Sequence, residues 1–251
     1  MNEARMKLSQ KVVLFYNNQQ GGTPAEQYAA SVLATSPVAY WKLNEGSGSA
    51  IVDSSGNGYD GSYTGVTWDG ETFLGQPVPF WDGANDYGDV YSAGLQSAFD
   101  FDEGCVLIWV KVANAGVWTD STSRYFFNLF ADADNRILAT RASSDNQLQI
   151  LRSGDGTLSS FLVNSLSYAD WFSVLLSWSV ANDESELYIN GVQSGSTLTG
   201  LVAASNTTFN TSRVTIGALS TTPSLVMHGY LAQYAVWDSP VDASKLALAT
   251  V

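Results

Sequence analysis

The sequence predicts an all-β chain folded as a two-sheet antiparallel sandwich, with a short N-terminal helix, a short C-terminal helix and an extended N-terminal arm. Three observations carry this reading. From Val38 onward apolar residues recur with a period of two. The strand-like runs are short and separated by clusters of Ser, Asp, Gly and Asn. Asn190-Gly191 lies between two such runs, where a two-residue type I′ turn needs positive φ at both central positions. Many short strands at this spacing imply a sandwich, and all-β sandwiches routinely occupy 251 residues as one domain.

Residues 1–22 are polar apart from Lys11-Val-Val-Leu-Phe-Tyr16, which has too little apolar surface to fold alone. They read as an arm whose Val12, Val13, Leu14, Phe15 and Tyr16 contact this domain or a neighbouring subunit; a frayed terminus is the alternative. Residues 23–36 form a docking helix and linker. Thr23 is the N-cap, Pro24 the first helical residue, and Glu26 closes a capping box three residues after the cap. Tyr28, Val32 and Leu33 make an apolar stripe, and the helix stops before Pro37. So short a helix persists only if that stripe docks.

Residues 37–251 form the sandwich. In Trp171–Val180 the even positions Phe172, Val174, Leu176, Trp178 and Val180 are apolar and three of the five odd ones are Ser, the pattern of a half-buried antiparallel strand. Arg136–Thr140, Gln147–Leu151 and Arg213–Gly217 repeat the theme. Ser239-Pro240-Val241-Asp242 repeats the capping logic and opens the C-terminal helix through Leu246 and Leu248.

Apolar residues make up 45% and aromatics 12% of the chain, enough for a sizeable core, whereas charged residues are 14%, below the usual level of about a quarter. The surface is therefore rich in Ser, Thr, Asn, Gln and Gly, as in extracellular and virion proteins. The net charge is −13, and no basic residue falls between Lys42 and Lys111. That segment repels phosphate backbones, which excludes nucleic acid and anionic membrane as partners and favours a cation or a neutral or basic surface. Cys105 is the sole cysteine and sits in an apolar run, as a buried small hydrophobe does. The N-terminus lacks the apolar stretch of a signal peptide and no run approaches a membrane span, so the chain is expected to be made in a cytoplasm.

Four stretches in order resemble the laminin-G-like, concanavalin A-like jelly-roll domains. They are Val38–Thr64 with its Asp53-Ser-Ser-Gly-Asn57-Gly loop, Phe80-Trp-Asp-Gly-Ala-Asn-Asp-Tyr87, Glu186-Leu-Tyr-Ile-Asn-Gly-Val192, and Gly229-Tyr-Leu-Ala-Gln-Tyr-Ala-Val-Trp237. Residues 24–64 resemble the version carried by bacteriophage tail and head-decoration proteins. The resemblance implies a concanavalin-like jelly roll that binds at its rim or plays a structural role, with calcium at the rim in many relatives.

Calcium takes six to eight hard oxygens, and the loop supplies Asp53, Asn57 and Asp60, with Asp82 and Asp86 from the next motif as further candidates. Equally, Asp53 and Asn57 cap the turn through side-chain to backbone bonds. Glycan recognition uses aromatic faces beside polar groups. Trp68, Trp81 and Trp118 lie next to loop-like residues and are the candidates, with packing at a sheet edge the alternative; Trp41, Trp109, Trp178 and Trp237 fall in strand patterns and read as core. For catalysis, glycosidases need two carboxylates about 5–10 Å apart. The Glu-x-Asp-x-x-Glu strand of glucanases with this fold is absent; Asp183-Glu-Ser-Glu186 reads as a solvated strand edge, and the lone His228 as structural.

These features favour a non-enzymatic virion structural protein, a head-decoration or minor tail component displaying a laminin-G-like adhesion domain. Its expected partners are other virion proteins or identical subunits, forming a homo-oligomer in the particle, and host-surface glycans. A secreted or surface carbohydrate-binding module of a bacterium, extracellular in location, is the alternative, and a glycan-cleaving enzyme of the same fold the second.

Overall fold

Two antiparallel sheets packed face to face make up the computed structural model of the chain, which describes residues 21–142, 147–164, 168, 170–243 and 246. The first sheet contains β1 (Ala39–Trp41), β6 (Phe80–Asp82), β8 (Glu103–Val112), β13 (Phe172–Ser179), β14 (Glu184–Ile189), β15 (Val192–Gln193) and β17 (His228–Trp237). Its order is β1-β17-β8-β13-β14-β15, with β6 also on the free edge of β17. The second sheet runs β12-β11-β10-β9-β16-β7-β3-β2. Its members are β2 (Ala50–Ile51), β3 (Gly61–Thr64), β7 (Tyr87–Asp89), β9 (Arg124–Phe130), β10 (Arg136–Arg141), β11 (Leu148–Gly154), β12 (Thr157–Val163) and β16 (Val214–Ile216). A separate ribbon pairs β4 (Thr72–Phe73) with β5 (Gln76–Pro77). The N-terminal helix is α1 (Pro24–Leu33), and a second short helix, α2 (Ala93–Ala98), precedes β8.

The local signals are met where they are self-contained. Thr23 accepts from the Glu26 backbone N–H and Glu26 accepts from Thr23 in return, completing the capping box. Asn190 and Gly191 have φ of 51° and 72°, joining β14 to β15. Gly217, at φ 76°, lies under Trp81, where a Cβ would come within 2.2 Å of the indole Nε1. Cys105 is buried, as expected.

Between the sheets lies the main core, to which β13 contributes Phe172, Val174, Leu176 and Trp178. The expectation that β13 is half-buried is corrected: all eight residues are buried. The outward side of the first sheet carries Cys105, Leu107, Trp109, Leu175, Ala232, Ala235 and Trp237. It is covered by Tyr28 and Val32 of α1, by Phe73 and Val78 around the ribbon, and by Ala243 and Leu246. Tyr28 locks this cover. Its hydroxyl accepts from Trp109 Nε1 at 2.7 Å and donates to the Leu246 carbonyl at 3.2 Å. Leu33 departs from the expected stripe and is exposed, Ala25 being buried in its stead. Most of the expected C-terminal helix, including Leu248, lies outside the described residues, as do Val12, Val13, Leu14, Phe15 and Tyr16 of the expected arm.

Candidate functional site

The covering of the first sheet leaves the outward side of the second as the open face, and a local irregularity shapes it. β9 and β10 pair in register from Phe130 to Phe127, then slip so that Thr140 faces Tyr125. The extra residue, Phe126, joins Phe127 in the core. A β-bulge re-aims the side chains beyond it, and here it turns Tyr125 outward onto the face that Asn128 and Phe130 already occupy.

The result is a groove of about 380 Å³. Leu138, Thr140, Leu151 and Asn128 are its buried floor; Tyr125, Phe130, Ala133, Arg136, Gln149, Leu158, Arg213 and Leu219 complete the lining. The Arg213 guanidinium lies 4.0 Å from the Phe130 ring centroid, a cation–π contact that fixes both walls. Arg136 is held through a bond from its guanidinium to the Ala133 carbonyl. Burial pushes the Tyr125 phenol above its ordinary value, and the positive charges of Arg136 and Arg213 act in the opposite direction, which places both within electrostatic reach of it.

Two polar atoms of this lining are buried without a partner among the described residues: Asn128 Oδ1 and Arg136 Nε. The Asn128 amide is oriented by donation from Nδ2 to the Leu219 carbonyl at 2.8 Å, so its unused atom is the acceptor. A buried polar atom without a partner carries a penalty of about 1–3 kcal/mol, and one that lines a groove is a place where a ligand or ordered water recovers it. The lining holds two cations and no carboxylate, although the chain as a whole is at −13.

The residues expected from sequence lie elsewhere. Asp53 is buried and committed to its own loop. Oδ1 accepts from the backbone N–H of Tyr40 (3.0 Å) and Ser55 (2.9 Å), and Oδ2 from Tyr59 N–H (2.9 Å) and the Ser55 hydroxyl (2.8 Å). Asp60 accepts from Asp53 N–H at 2.8 Å, and the Asn57 amide donates to the Val38 carbonyl at 2.9 Å. The geometry is that of a capped turn, and a cation entering there would have to displace these donors. Asp82 and Asp86 form a second such closure, Asp86 accepting from Asp82 N–H at 2.6 Å and Asp82 from Ala84 N–H at 2.8 Å. Burial, followed by the neighbouring Asp82 charge, raises the Asp86 carboxyl above its usual range. Among the described residues no three His, Cys, Asp or Glu side chains converge as metal ligands would.

Two of the three tryptophans offered for glycan stacking are corrected to core residues. Trp81 and Trp118 are 0% and 1% exposed. Trp81 packs edge-on against Tyr63, and Trp118 donates from Nε1 to the Tyr168 carbonyl at 2.9 Å while its ring meets Phe172. Loop-like neighbours misled here, because short strand β6 and a single 3₁₀ turn both point their rings inward. Trp68 is partly exposed and rests edge-on against Tyr63. The Asp183–Glu186 run stitches a crossing segment in place: Asp183 accepts from Gly200 and Leu201 N–H at 2.6 and 2.7 Å, and Glu186 from the Thr197 hydroxyl at 2.8 Å. His228 packs against Phe80, and burial, then Arg124, lower its pKa.

The profile of the family described as laminin G-like, within the concanavalin A-like lectin/glucanases superfamily, matches residues 82–247. The chain belongs to this superfamily. The laminin-G-like, concanavalin A-like fold is also found in solved structures. One is domain 4 of AbnA, a GH43 extracellular arabinanase from Geobacillus stearothermophilus, in complex with arabinotriose. It has a TM-score of 0.61 and 15% identity, over 85% of this chain and 98% of that one. A second is the receptor-binding domain of the botulinum neurotoxin C/D mosaic serotype, with a TM-score of 0.58 and 11% identity, over 83% of this chain and 49% of that one. A third, of botulinum neurotoxin type C, describes cell entry that depends on interaction with two ganglioside molecules, with a TM-score of 0.61 and 12% identity, over 84% and 50%. The chain thus spans about half the length of the toxin chains. At these identities the likeness is one of fold. No curated protein matched the sequence.

Proposed function

We propose that this laminin-G-like domain is a non-enzymatic glycan-binding module, and that it binds through the groove on the outward side of the second sheet. The observation that carries the reading is the groove's composition. Aromatic walls at Tyr125 and Phe130 flank a buried amide acceptor at Asn128 and the guanidiniums of Arg136 and Arg213. Apolar surface with a few fixed polar groups is what sugar recognition requires, and guanidiniums grip carboxylates in bidentate fashion. The favoured ligand is therefore an oligosaccharide bearing an acidic sugar. The lining offers no carboxylate pair to act as acid and base, which supports binding without cleavage. Solved relatives of the fold are described with an arabinotriose and with gangliosides.

The test is titration calorimetry against acidic and neutral oligosaccharides, with Tyr125→Ala and Arg213→Ala. Each variant is expected to weaken binding of the acidic ligand by tenfold or more, about 1.4 kcal/mol, while melting as the parent does. Absence of binding to every glycan tried, or binding indifferent to both substitutions, would overturn the reading.

We further propose that the module is displayed on a virion as a head-decoration or minor tail component. The support is the resemblance of residues 24–64 to phage versions and the docking of α1 against the sheet remote from the groove. Mass spectrometry of purified particles should find the chain at stoichiometric occupancy, and deletion of residues 1–22 should reduce that occupancy while leaving the sandwich folded. A chain absent from particles would return it to the status of a bacterial carbohydrate-binding module.

A further inference from the structure

Strand β12 ends the second sheet, and among the described residues no strand pairs with its outer edge, a recess of about 350 Å³ separating Ser160 and Leu162 from Ser194, Gly195 and Leu198. It is seven residues long, whereas the other sheet-edge strands, β1, β2, β6 and β15, have two or three. Natural edges are normally blunted by brevity, charge, proline or a bulge. β12 has none of these: its register with β11 is continuous, and no charged residue or proline occurs between Asp155 and Asp170. In a chain of net charge −13, an uncharged stretch here removes the repulsion that two copies would otherwise meet.

The edge also has a two-fold pattern. Asp155 and Gly156, with φ of 45° and 77°, form a two-residue turn between β11 and β12. Gly154 and Thr157 are therefore a hydrogen-bonded pair, and the alternation of antiparallel pairing directs the N–H and C=O of residues 157, 159, 161 and 163 toward β11. Those of Leu158, Ser160 and Leu162 point to the open edge. Leu158 and Leu162 are 55% and 52% exposed and sit equidistant from Ser160.

We propose that β12 pairs antiparallel with β12 of a second copy of this chain, with the two-fold axis at Ser160. In that register Ser160 faces Ser160, and each Leu158 faces the other copy's Leu162. All three pairs are hydrogen-bonded pairs, and both exposed leucines gain an apolar cross-strand neighbour. The two second sheets become one continuous sheet. Because Leu158 and Leu151 line the groove, the dimer sets two grooves on the same face. Five strand spacings separate one β10 from the other, about 24 Å. The dimer stands independently of the function proposed above; the consequence for avidity rests on it.

The experiment is sedimentation velocity of the full chain over a concentration series reaching the high micromolar range. It compares the parent with Ser160→Pro, Leu162→Lys and Ser160→Cys. Proline at 160 removes an outward-facing N–H and the hydroxyl that accepts from Gln149 Nε2 at 3.3 Å, and proline is tolerated on an edge strand, so the variant should fold, and its circular dichroism checks this. The parent is expected to dimerise, Ser160→Pro and Leu162→Lys to raise the dissociation constant at least tenfold, and Ser160→Cys to form a disulfide dimer on mild oxidation. The Cα separation of a hydrogen-bonded pair, about 5.5 Å, suits that bond, and Cys105 is buried and does not compete. A parent that stays monomeric, or a dimer that survives both edge substitutions, overturns the proposal. A monomeric Ser160→Pro that binds a soluble oligosaccharide as the parent does but loses retention on immobilised glycan supports both readings. If no glycan binds while the edge variants still abolish the dimer, the groove assignment alone fails.

Discussion

Replacing Tyr28 by Phe isolates the contact that holds α1 over the first sheet. The phenyl ring keeps its edge contacts with Phe73 and Trp109, 6.3 and 6.1 Å between centroids, so the change deletes one oxygen and little packing. That oxygen accepts from Trp109 Nε1 and donates to the Leu246 carbonyl, and both side chains are 4% exposed. Leaving the indole N–H buried without an acceptor costs about 1–3 kcal/mol, and the lost bond to Leu246 adds roughly 0.5–1 kcal/mol. The expected destabilisation is about 1.5–4 kcal/mol. For a domain of this size that lowers Tm by roughly 3–16 °C.

Urea unfolding of the parent and Tyr28→Phe gives the difference directly, with an unchanged m value if α1 stays docked. Trp109→Phe completes a double-mutant cycle. In that background no indole donor remains to be orphaned, so Tyr28→Phe should cost only the Leu246 bond, and the coupling is the orphaned-donor term, about 1–3 kcal/mol. A single-mutant effect below about 0.5 kcal/mol, or additive effects, would refute the claim that this hydroxyl closes the cover.

Calcium added after chelation is expected to leave Tm unchanged, because both Asp53 oxygens already accept protein donors; a rise of several degrees would assign the loop to the ion. Partial burial, then the Arg124 charge, lower the His228 pKa below its ordinary value, so between pH 6.5 and its lowered folded pKa the unfolded chain binds the extra proton. Stability should thus be full above pH 6.5 and decline on acidification through that window. His228→Gln should flatten this part of a urea-midpoint profile, and an unaltered slope would contradict the assignment.

Features encoded by a few adjacent residues were legible in the sequence, and features set by distant ones were not. Thr23 to Glu26 and Asn190-Gly191 each contain all the atoms that determine their geometry. The pattern at Trp171–Val180 identified a strand and its inward residues, but the burial of Leu175 depends on Tyr28, Phe73 and Leu246. Trp81 was misplaced because the space that admits its ring is made by Gly217, far along the chain. The groove was hidden for a related reason. In Arg124–Phe130 every alternation can be drawn two ways, and only pairing with β10 fixes Phe126 as the extra residue and turns Tyr125 outward. The signal that sequence did hold was weaker: Arg136 and Arg213 flank strand patterns in a chain with few cations.

The two outward faces explain each other. On the first sheet, Leu107, Trp109, Leu175 and Trp237 present a broad apolar surface that water would not tolerate uncovered, and α1, the ribbon, Ala243 and Leu246 converge there. On the second, outward positions mix Leu138, Leu151, Asn128 and Thr140 at the floor with Arg136 and Gln149 around them. That mixture is too polar to recruit a covering segment and too apolar to be an ordinary solvated surface, which is the balance expected of a face that meets a partially apolar, hydroxyl-rich ligand. The same face runs without interruption to β12, whose Leu158 belongs both to the groove and to the free edge. Ligand binding and strand pairing would therefore meet at one side chain. Because pairing takes up the backbone edge of β12 and the glycan its outward face, affinity for a soluble glycan is expected to be the same in monomer and dimer, the two being coupled only through avidity on a glycan-bearing surface.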